Sequence, residues 1–119
     1  MEIFFSAGRG VPAVAYKGEY DFDRIIESCV SLKKEKEPGK TKGVIMDFSL
    51  LDGGLSVFES FAFAKKLREA CRSSEKIAFV REGGLLEGEG VCAEIIYNMG
   101  FNIEVFRERE NAEEWVKGE

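Results

Sequence analysis

One continuous segment, residues 43–67, constrains the fold more than any other. It reads GVIMDFSLLDGGLSVFESFAFAKKL. Its apolar run predicts a buried strand over Gly43–Phe48, its glycines predict a turn over Leu51–Leu55, and its periodicity predicts a helix that opens at Ser56. The segment therefore places a helix N-terminus just past the carboxyl end of a core strand. In an open α/β sheet, ligands and partners usually dock at that edge.

The start of this helix carries a capping box, because Ser56 is followed at the S-x-x-E spacing by Glu59. The serine hydroxyl is expected to accept a free backbone N–H of the first turn, and the glutamate to accept the N–H of the serine. The spacing predicts a rigid helix start with an accessible serine. It indicates where a site lies but not which reaction, if any, occurs there.

Strands and helices alternate along the rest of the chain. The strands are predicted at Glu2–Ala7, Val11–Tyr16, Gly43–Phe48, Glu75–Arg81 and Phe101–Phe106. The helices are predicted at Phe22–Lys36, Val57–Cys71, Gly90–Met99 and Ala112–Lys117, the last with Asn111 as its cap. Gly8-Arg9-Gly10 is typical of a hairpin turn, whereas Pro38-Gly39 and Gly100 would end helices.

The element order β-β-α-β-α-β-α-β-α predicts an α/β fold in a single domain over residues 1–119. Right-handed crossovers would build a five-stranded mixed, mostly parallel sheet covered by about four helices. The hairpin would make the first strand antiparallel to its neighbour.

Composition excludes several function classes. The net charge of −5 disfavours nucleic acid, and no run reaches the roughly 18 apolar residues of a membrane span. The N-terminus lacks a signal-peptide pattern, so we expect a cytoplasmic protein. The lysines at 33, 34, 36, 40 and 42 are interpreted as the solvated end of a helix and its loop rather than a binding patch.

The chain has no histidine, which excludes Ser-His and Cys-His catalysis and removes the commonest metal ligand. Cys29, Cys71 and Cys92 have no metal-binding spacing and are expected to be buried, reduced thiols. Asp47 and Asp52 end a strand and open a turn, where carboxylates usually accept local hydrogen bonds. We therefore predict no enzymatic activity, no cofactor and no metal.

The glycine-rich segment 81–90 lacks both phosphate-loop signatures and carries three glutamates. It is interpreted as a flexible rim loop. Its Leu85-Leu86 pair could contact either a partner or the core of the domain.

The predicted second helix has one apolar side chain on its polar side. Its core face is predicted to comprise Val57, Phe61, Ala64, Leu67 and Cys71, with Phe63 and Ala70 on the flank. Its solvated side is predicted to comprise Lys65, Lys66, Arg68 and Glu69. Phe58 and Ala62 project toward that solvated side. Phe58 could be a core residue, a lone exposed residue, or the apolar anchor of a contact site or pocket mouth.

Three motifs resemble the STAS domain of anti-sigma-factor antagonists, and look closest to its divergent SpoIIAA-like branch. Lys17–Phe22 (KGEYDF) is similar to the junction between the hairpin and the first helix. Met46–Ser49 (MDFS) with Leu51–Leu55 (LDGGL) is similar to the strand end and the turn after it. Asn111–Val116 (NAEEWV) resembles the tail of the divergent branch. The resemblance implies a STAS-like fold and binding of a regulatory protein such as an anti-sigma-type kinase.

The chain departs from this family at one position that matters. In the antagonists a serine follows the turn aspartate and accepts phosphate, whereas Gly53 and Gly54 follow Asp52 here. The resemblance therefore implies a lost phosphoacceptor, which only Ser56 could replace by a shift along the turn. A capping role for Ser56 is the simpler interpretation.

These observations predict a non-enzymatic cytoplasmic STAS-like domain that binds a regulatory protein partner. The predicted contact residues are Asp52, Gly53, Gly54, Leu55, Ser56 and Phe58. The alternative is a pocket for a small apolar molecule or lipid. It rests on the ten phenylalanines and on the comparison of the divergent branch with Sec14-type lipid-binding domains.

Overall fold

Five strands and four helices follow one another in the predicted order. The strands are β1 (Glu2–Ser6), β2 (Ala13–Glu19), β3 (Gly43–Asp52), β4 (Lys76–Val80) and β5 (Asn102–Phe106). The helices are α1 (Phe22–Glu35), α2 (Val57–Ala70), α3 (Glu87–Asn98) and α4 (Arg109–Lys117). The computed structural model describes residues 1–6, 11–36 and 41–118. The predicted hairpin turn at residues 8–10 and the helix stop at 38–39 lie outside them.

The sheet has the strand order β1-β2-β3-β4-β5. β1 pairs with β2 in antiparallel orientation, and the other neighbours are parallel. Because each of α1, α2 and α3 connects adjacent parallel strands with the same handedness, all three lie on one face of the sheet. α4 packs on the opposite face against β3, β4 and β5. The predicted mixed α/β sheet is confirmed.

An aromatic cluster fills the core between the sheet and helices α1 to α3. Phe48 stacks on Tyr16 at 5.5 Å between ring centroids and meets Phe79 edge-on at 5.3 Å. Phe63 of α2 approaches Phe48 at 6.3 Å. The buried Tyr16 hydroxyl is satisfied by the Ser28 hydroxyl at 2.7 Å. The rings thus pack on one another, and the hydroxyl that Tyr16 brings into this cluster has a partner.

Several element ends differ from the prediction. β2 and β3 are longer than expected and pair as far as Glu19 with Asp52, after a bulge between Ala15 and Lys17. The bulge shifts the register by one residue, and pairing continues past Tyr16, the last buried residue of β2. α3 begins earlier, at Glu87. The prediction that Asn111 caps the last helix is wrong, because that helix starts at Arg109 after Glu108.

The predicted core face of α2 is partly wrong. Ala64, Leu67 and Cys71 are buried as expected. Phe63, Ala70 and Ser60 are also buried, whereas Val57 and Phe61 are exposed. Ser60 can face the core because its hydroxyl donates to the Val57 carbonyl oxygen at 2.5 Å, which satisfies the polar group locally. The outward rotation of Phe61 places two phenylalanines of α2 on the surface.

The lysine cluster is also only partly solvated, because the Lys36 side chain is only 8% exposed. Lys40 lies outside the described residues. The Lys36 ammonium lies 2.7–2.8 Å from the two carboxylate oxygens of Glu75 and donates to the Ala70 carbonyl oxygen at 2.6 Å. The ion pair ties the end of α1 to the residue before β4, and the hydrogen bond to Ala70 ties it to the end of α2. The three cysteines are buried, as predicted, and burial raises the pKa of the Cys71 thiol to about 11.

Candidate docking site at the start of the second helix

Ser56 caps the N-terminus of α2 in the way its spacing predicts. The Glu59 N–H donates to Ser56 Oγ at 3.0 Å, and the Ser56 N–H donates to Glu59 Oε1 at 3.1 Å. The Tyr20 hydroxyl donates to the same carboxylate oxygen at 2.8 Å. Desolvation alone would raise the pKa of Glu59, but these hydrogen bonds outweigh it and lower the pKa. The start of α2 is thereby tied to the junction between β2 and α1.

The two glycines of the turn are explained by geometry. Gly53 has a φ of +87°, which strains any residue with a side chain, and a Cβ there would lie 3.3 Å from Tyr20 Cβ. A Cβ on Gly54 would lie 2.8 Å from Glu89 Oε2 and 3.0 Å from Leu86 Cδ1. The backbone conformation at Gly53, where the family resemblance would place the phosphoacceptor, and the side chains packed against Gly54 therefore disfavour a serine at either position.

A buried ion pair supports the turn from beneath. Arg81 Nε donates to Glu89 Oε1 at 2.8 Å, and its Nη2 donates to Glu89 Oε2 at 2.7 Å. The same guanidinium donates to the carbonyl oxygens of Leu51 at 3.2 Å and Gly53 at 2.9 Å. Because a guanidinium presents donors in a fixed fork, these four bonds fix the turn relative to α3.

The start of α3 also contacts the turn directly. Glu89 Oε1 accepts the Leu86 N–H at 3.0 Å, so the glutamate caps its own helix as well as binding Arg81. A Cβ on Gly88 would overlap the Leu55 carbonyl oxygen. Only glycine permits the backbones of α3 and the turn to approach this closely.

Sequence reasoning missed the Arg81–Glu89 pair and treated residues 81–90 as a flexible rim loop. Both side chains are buried, with Glu89 fully inaccessible. Of the Leu85-Leu86 pair, Leu85 packs against the core, whereas Leu86 is 42% exposed. The sequence signal for this helix start was Glu89, three residues after Leu86, because a glutamate at that position accepts the backbone N–H of the cap residue.

The predicted contact residues lie together but differ in exposure. Asp52, Gly53 and Ser56 are exposed and Gly54 is partly exposed. Leu55 lies in the core and supports the turn from inside. Phe58 is 87% exposed.

Two neighbours on α2 enlarge this apolar surface, because Phe61 is 60% and Val57 41% exposed. We call the surface formed by Asp52, Ser56, Val57, Phe58 and Phe61 the docking face. It combines an apolar centre with a polar edge at a helix N-terminus.

Two of the open depressions in the described part of the chain matter here, and both lie away from the docking face. One, of about 500 Å³, is polar and lies beside Asp47, Ser49 and Arg109. The other, of about 420 Å³, lies between α3 and β5. In the described residues, no helix is long and apolar enough to cross a membrane, and no group of three potential metal ligands occurs.

Comparison with known proteins shows the fold. No family model matches the chain, and no curated protein matches it. The chain is similar to the crystal structure of an uncharacterised DUF3478-family protein from Shewanella loihica PV-4, described as having a SpoIIAA-like fold. The TM-score is 0.56 at 14% identity, over 97% of this chain and 92% of the other. The chain therefore has a SpoIIAA-like fold, as its motifs indicated.

Proposed function

We propose that this chain is a non-enzymatic cytoplasmic binding module that docks a regulatory protein partner on its docking face. The exposure of Phe58 carries the proposal. A phenylalanine that is 87% exposed contributes little to the fold, whereas aromatic side chains dominate the energy of protein interfaces. Phe61 and Val57 surround it, so the apolar surface is continuous rather than a single residue.

The rigidity of the turn supports the same proposal. The capping box holds the start of α2, and the Arg81 guanidinium holds the carbonyl oxygens of Leu51 and Gly53. Ordering a flexible loop on binding costs free energy, so a surface that is already ordered binds more tightly. Asp52 and Ser56 lie at the polar edge, where they would provide hydrogen bonds rather than most of the affinity.

The test compares two phenylalanine truncations. Tagged wild type, Phe58→Ala and Phe4→Ala would be cross-linked in cells of the source organism, and the captured proteins identified by mass spectrometry. Phe4, on β1, is the matched control because it is also an exposed phenylalanine. We expect Phe58→Ala to lose a partner that wild type and Phe4→Ala retain. Equal capture by all three proteins would overturn the proposal.

The docking face also contains a candidate modification site. The Ser56 hydroxyl is exposed and accepts one hydrogen bond, so a phosphate there would lie at the positive end of α2. Its contact with Glu59 argues for the capping role, and phosphate transfer to wild type but not to Ser56→Ala would establish the switch.

The alternative function, binding of an apolar molecule or lipid, has less support. Four rings that could have lined an interior pocket, Tyr16, Phe48, Phe63 and Phe79, pack on one another. Native mass spectrometry of the purified chain distinguishes the two functions, since a co-purifying lipid mass would favour the alternative.

A further inference from the structure

The second surface of interest is the free edge of the sheet at β5. β5 is the last strand, so one side of its backbone has no neighbouring strand. The Phe106 carbonyl oxygen accepts the Arg81 N–H and therefore points inward toward β4. Because backbone groups alternate along a strand, the N–H and C=O groups of Ile103 and Val105 point outward. No loop or turn within the described ranges hydrogen-bonds to them.

A groove runs beside this edge, between β5 and α3. Ala93, Ile103 and Val105 supply apolar lining, and Tyr97 of α3 stands beside them with 68% of its surface exposed. Ile103 and Val105 pair with Ile77 and Phe79, so their side chains lie on the same face as α3. The groove thus lies where the side chains of an added strand would point.

Charge distinguishes between the possible occupants. Glu94 lines the groove, whose lining residues include no cation. Glu104 pairs with Ala78, so its exposed carboxylate lies on the opposite face of β5, between Ile103 and Val105. A second copy could use all four outward groups only by pairing its own β5 antiparallel. That register sets Glu104 directly opposite Glu104 of the copy, and like charges directly opposite one another are destabilising. Self-pairing is therefore disfavoured, and a cationic strand is favoured.

We propose that the β5 edge binds an extended peptide in which apolar residues alternate with lysine or arginine. The peptide adds a sixth strand by bonding to the backbone of Ile103 and Val105. Its apolar side chains enter the groove beside Tyr97, and its cationic side chains lie on the opposite face near Glu104. Backbone hydrogen bonds supply affinity in this mode of recognition, whereas the alternating side chains supply specificity.

The test uses two synthetic peptides that differ only in charge, acetyl-KVKVKVK-amide and acetyl-EVEVEVE-amide. Each would be titrated at millimolar concentration into ¹⁵N-labelled protein. We expect the lysine peptide to shift and protect the Ile103 and Val105 amides, and the glutamate peptide to bind about tenfold more weakly or not at all. Equal binding of the two peptides, or no change at these amides, would overturn the proposal.

Two variants locate the contact. Val105→Pro removes one outward N–H and no bond to β4, so it should abolish binding while the sheet is kept. Glu104→Lys should weaken the lysine peptide and favour the glutamate peptide, which keeps the test decisive if the proline variant fails to fold. Phe58→Ala, on the docking face, should bind both peptides as wild type does. A homodimer in solution whose β5 amides are already protected would also contradict the proposal.

Discussion

Helices α2 and α3 begin in similar ways but are held by different parts of the molecule. In each, a glutamate three residues into the motif accepts the backbone N–H of the cap residue, at 3.1 Å for Glu59 and 3.0 Å for Glu89. The Ser56 hydroxyl in turn accepts the Glu59 N–H, whereas the Leu86 side chain has no atom that could accept the Glu89 N–H. The α2 cap is therefore complete by itself, and the α3 cap is not.

The second partner of each glutamate completes the contrast. Glu59 is partly exposed and receives one hydrogen bond from the Tyr20 hydroxyl. Glu89 is fully buried and receives two from Arg81, which also holds the turn before α2. The start of α2 can present an exposed surface because the start of α3 supports it from behind. The comparison predicts that the free energy of unfolding is far more sensitive to changes at α3.

The largest effect is expected for Glu89→Ala. It leaves the Arg81 guanidinium buried without its counterion, which costs about 3–5 kcal/mol of the free energy of unfolding. Glu59→Ala is the matched control, and it should cost about 1 kcal/mol because its hydrogen bonds are partly exposed. Urea denaturation followed by circular dichroism measures both. Equal losses would mean that the two helix starts are held in the same way.

A smaller change in the free energy of unfolding is expected when one methyl group is added to α3, and its sign should depend on the position. Gly88→Ala forces a Cβ against the Leu55 carbonyl oxygen and should cost about 1–3 kcal/mol. Gly90→Ala, in the same helix, meets nothing within 4 Å and should instead stabilise the protein by about 0.5–1 kcal/mol. Thermal unfolding of the two variants shows whether each is more or less stable than wild type. If both stabilise the protein, α3 does not press on the turn as described.

This contrast also explains what the sequence could predict. The α2 cap was predictable because Ser56 and Glu59 are three residues apart and complete their bonds locally. The Arg81–Glu89 pair was not, because its geometry depends on a loop that brings the end of a strand under a neighbouring turn. Charged residues among glycines resemble an ordinary exposed loop until that approach is known.

The phase of α2 was mispredicted for a related reason. Apolar periodicity assigns Phe61 to the core and gives no reason to bury Ser60. The helix instead buries the small serine and turns Phe61 outward beside Phe58. Periodicity assumes that the apolar residues of a helix face the core. The docking face does not follow this rule, so the prediction was least accurate there.

At α2 itself, loss of the local cap is expected to reduce stability moderately. Ser56→Ala removes the acceptor for the Glu59 N–H and should cost about 1 kcal/mol. Ser56→Asp should retain nearly all the stability, since aspartate is an equally good cap and its charge suits the helix N-terminus. Urea midpoints of the two variants test this. Equal destabilisation by both would show that the cap depends on the serine hydroxyl itself, not on an acceptor.

The smallest loss of stability is expected for Tyr20→Phe, which removes the hydrogen bond between Glu59 of α2 and the junction of β2 and α1. The pKa of Glu59 is lowered in the folded state, so its ionisation stabilises the fold above its ordinary pKa of 4.5. That stability is lost as the pH falls through the lower folded-state pKa. Tyr20→Phe removes one hydrogen bond to the carboxylate and should cost at most about 1 kcal/mol at pH 7.

Because the hydrogen bond is strongest to the ionised carboxylate, the gap between wild type and Tyr20→Phe should narrow as the pH falls below 4.5. Urea midpoints measured from neutral pH to about pH 3, below the ordinary glutamate pKa, test this. The same substitution in a Glu59→Gln background should show no such narrowing. A constant gap in the wild-type background would mean that Tyr20 acts through packing alone. In that case tertiary packing would hold the start of α2 as it holds the start of α3. The two helix starts would then differ only in how much stability such contacts contribute.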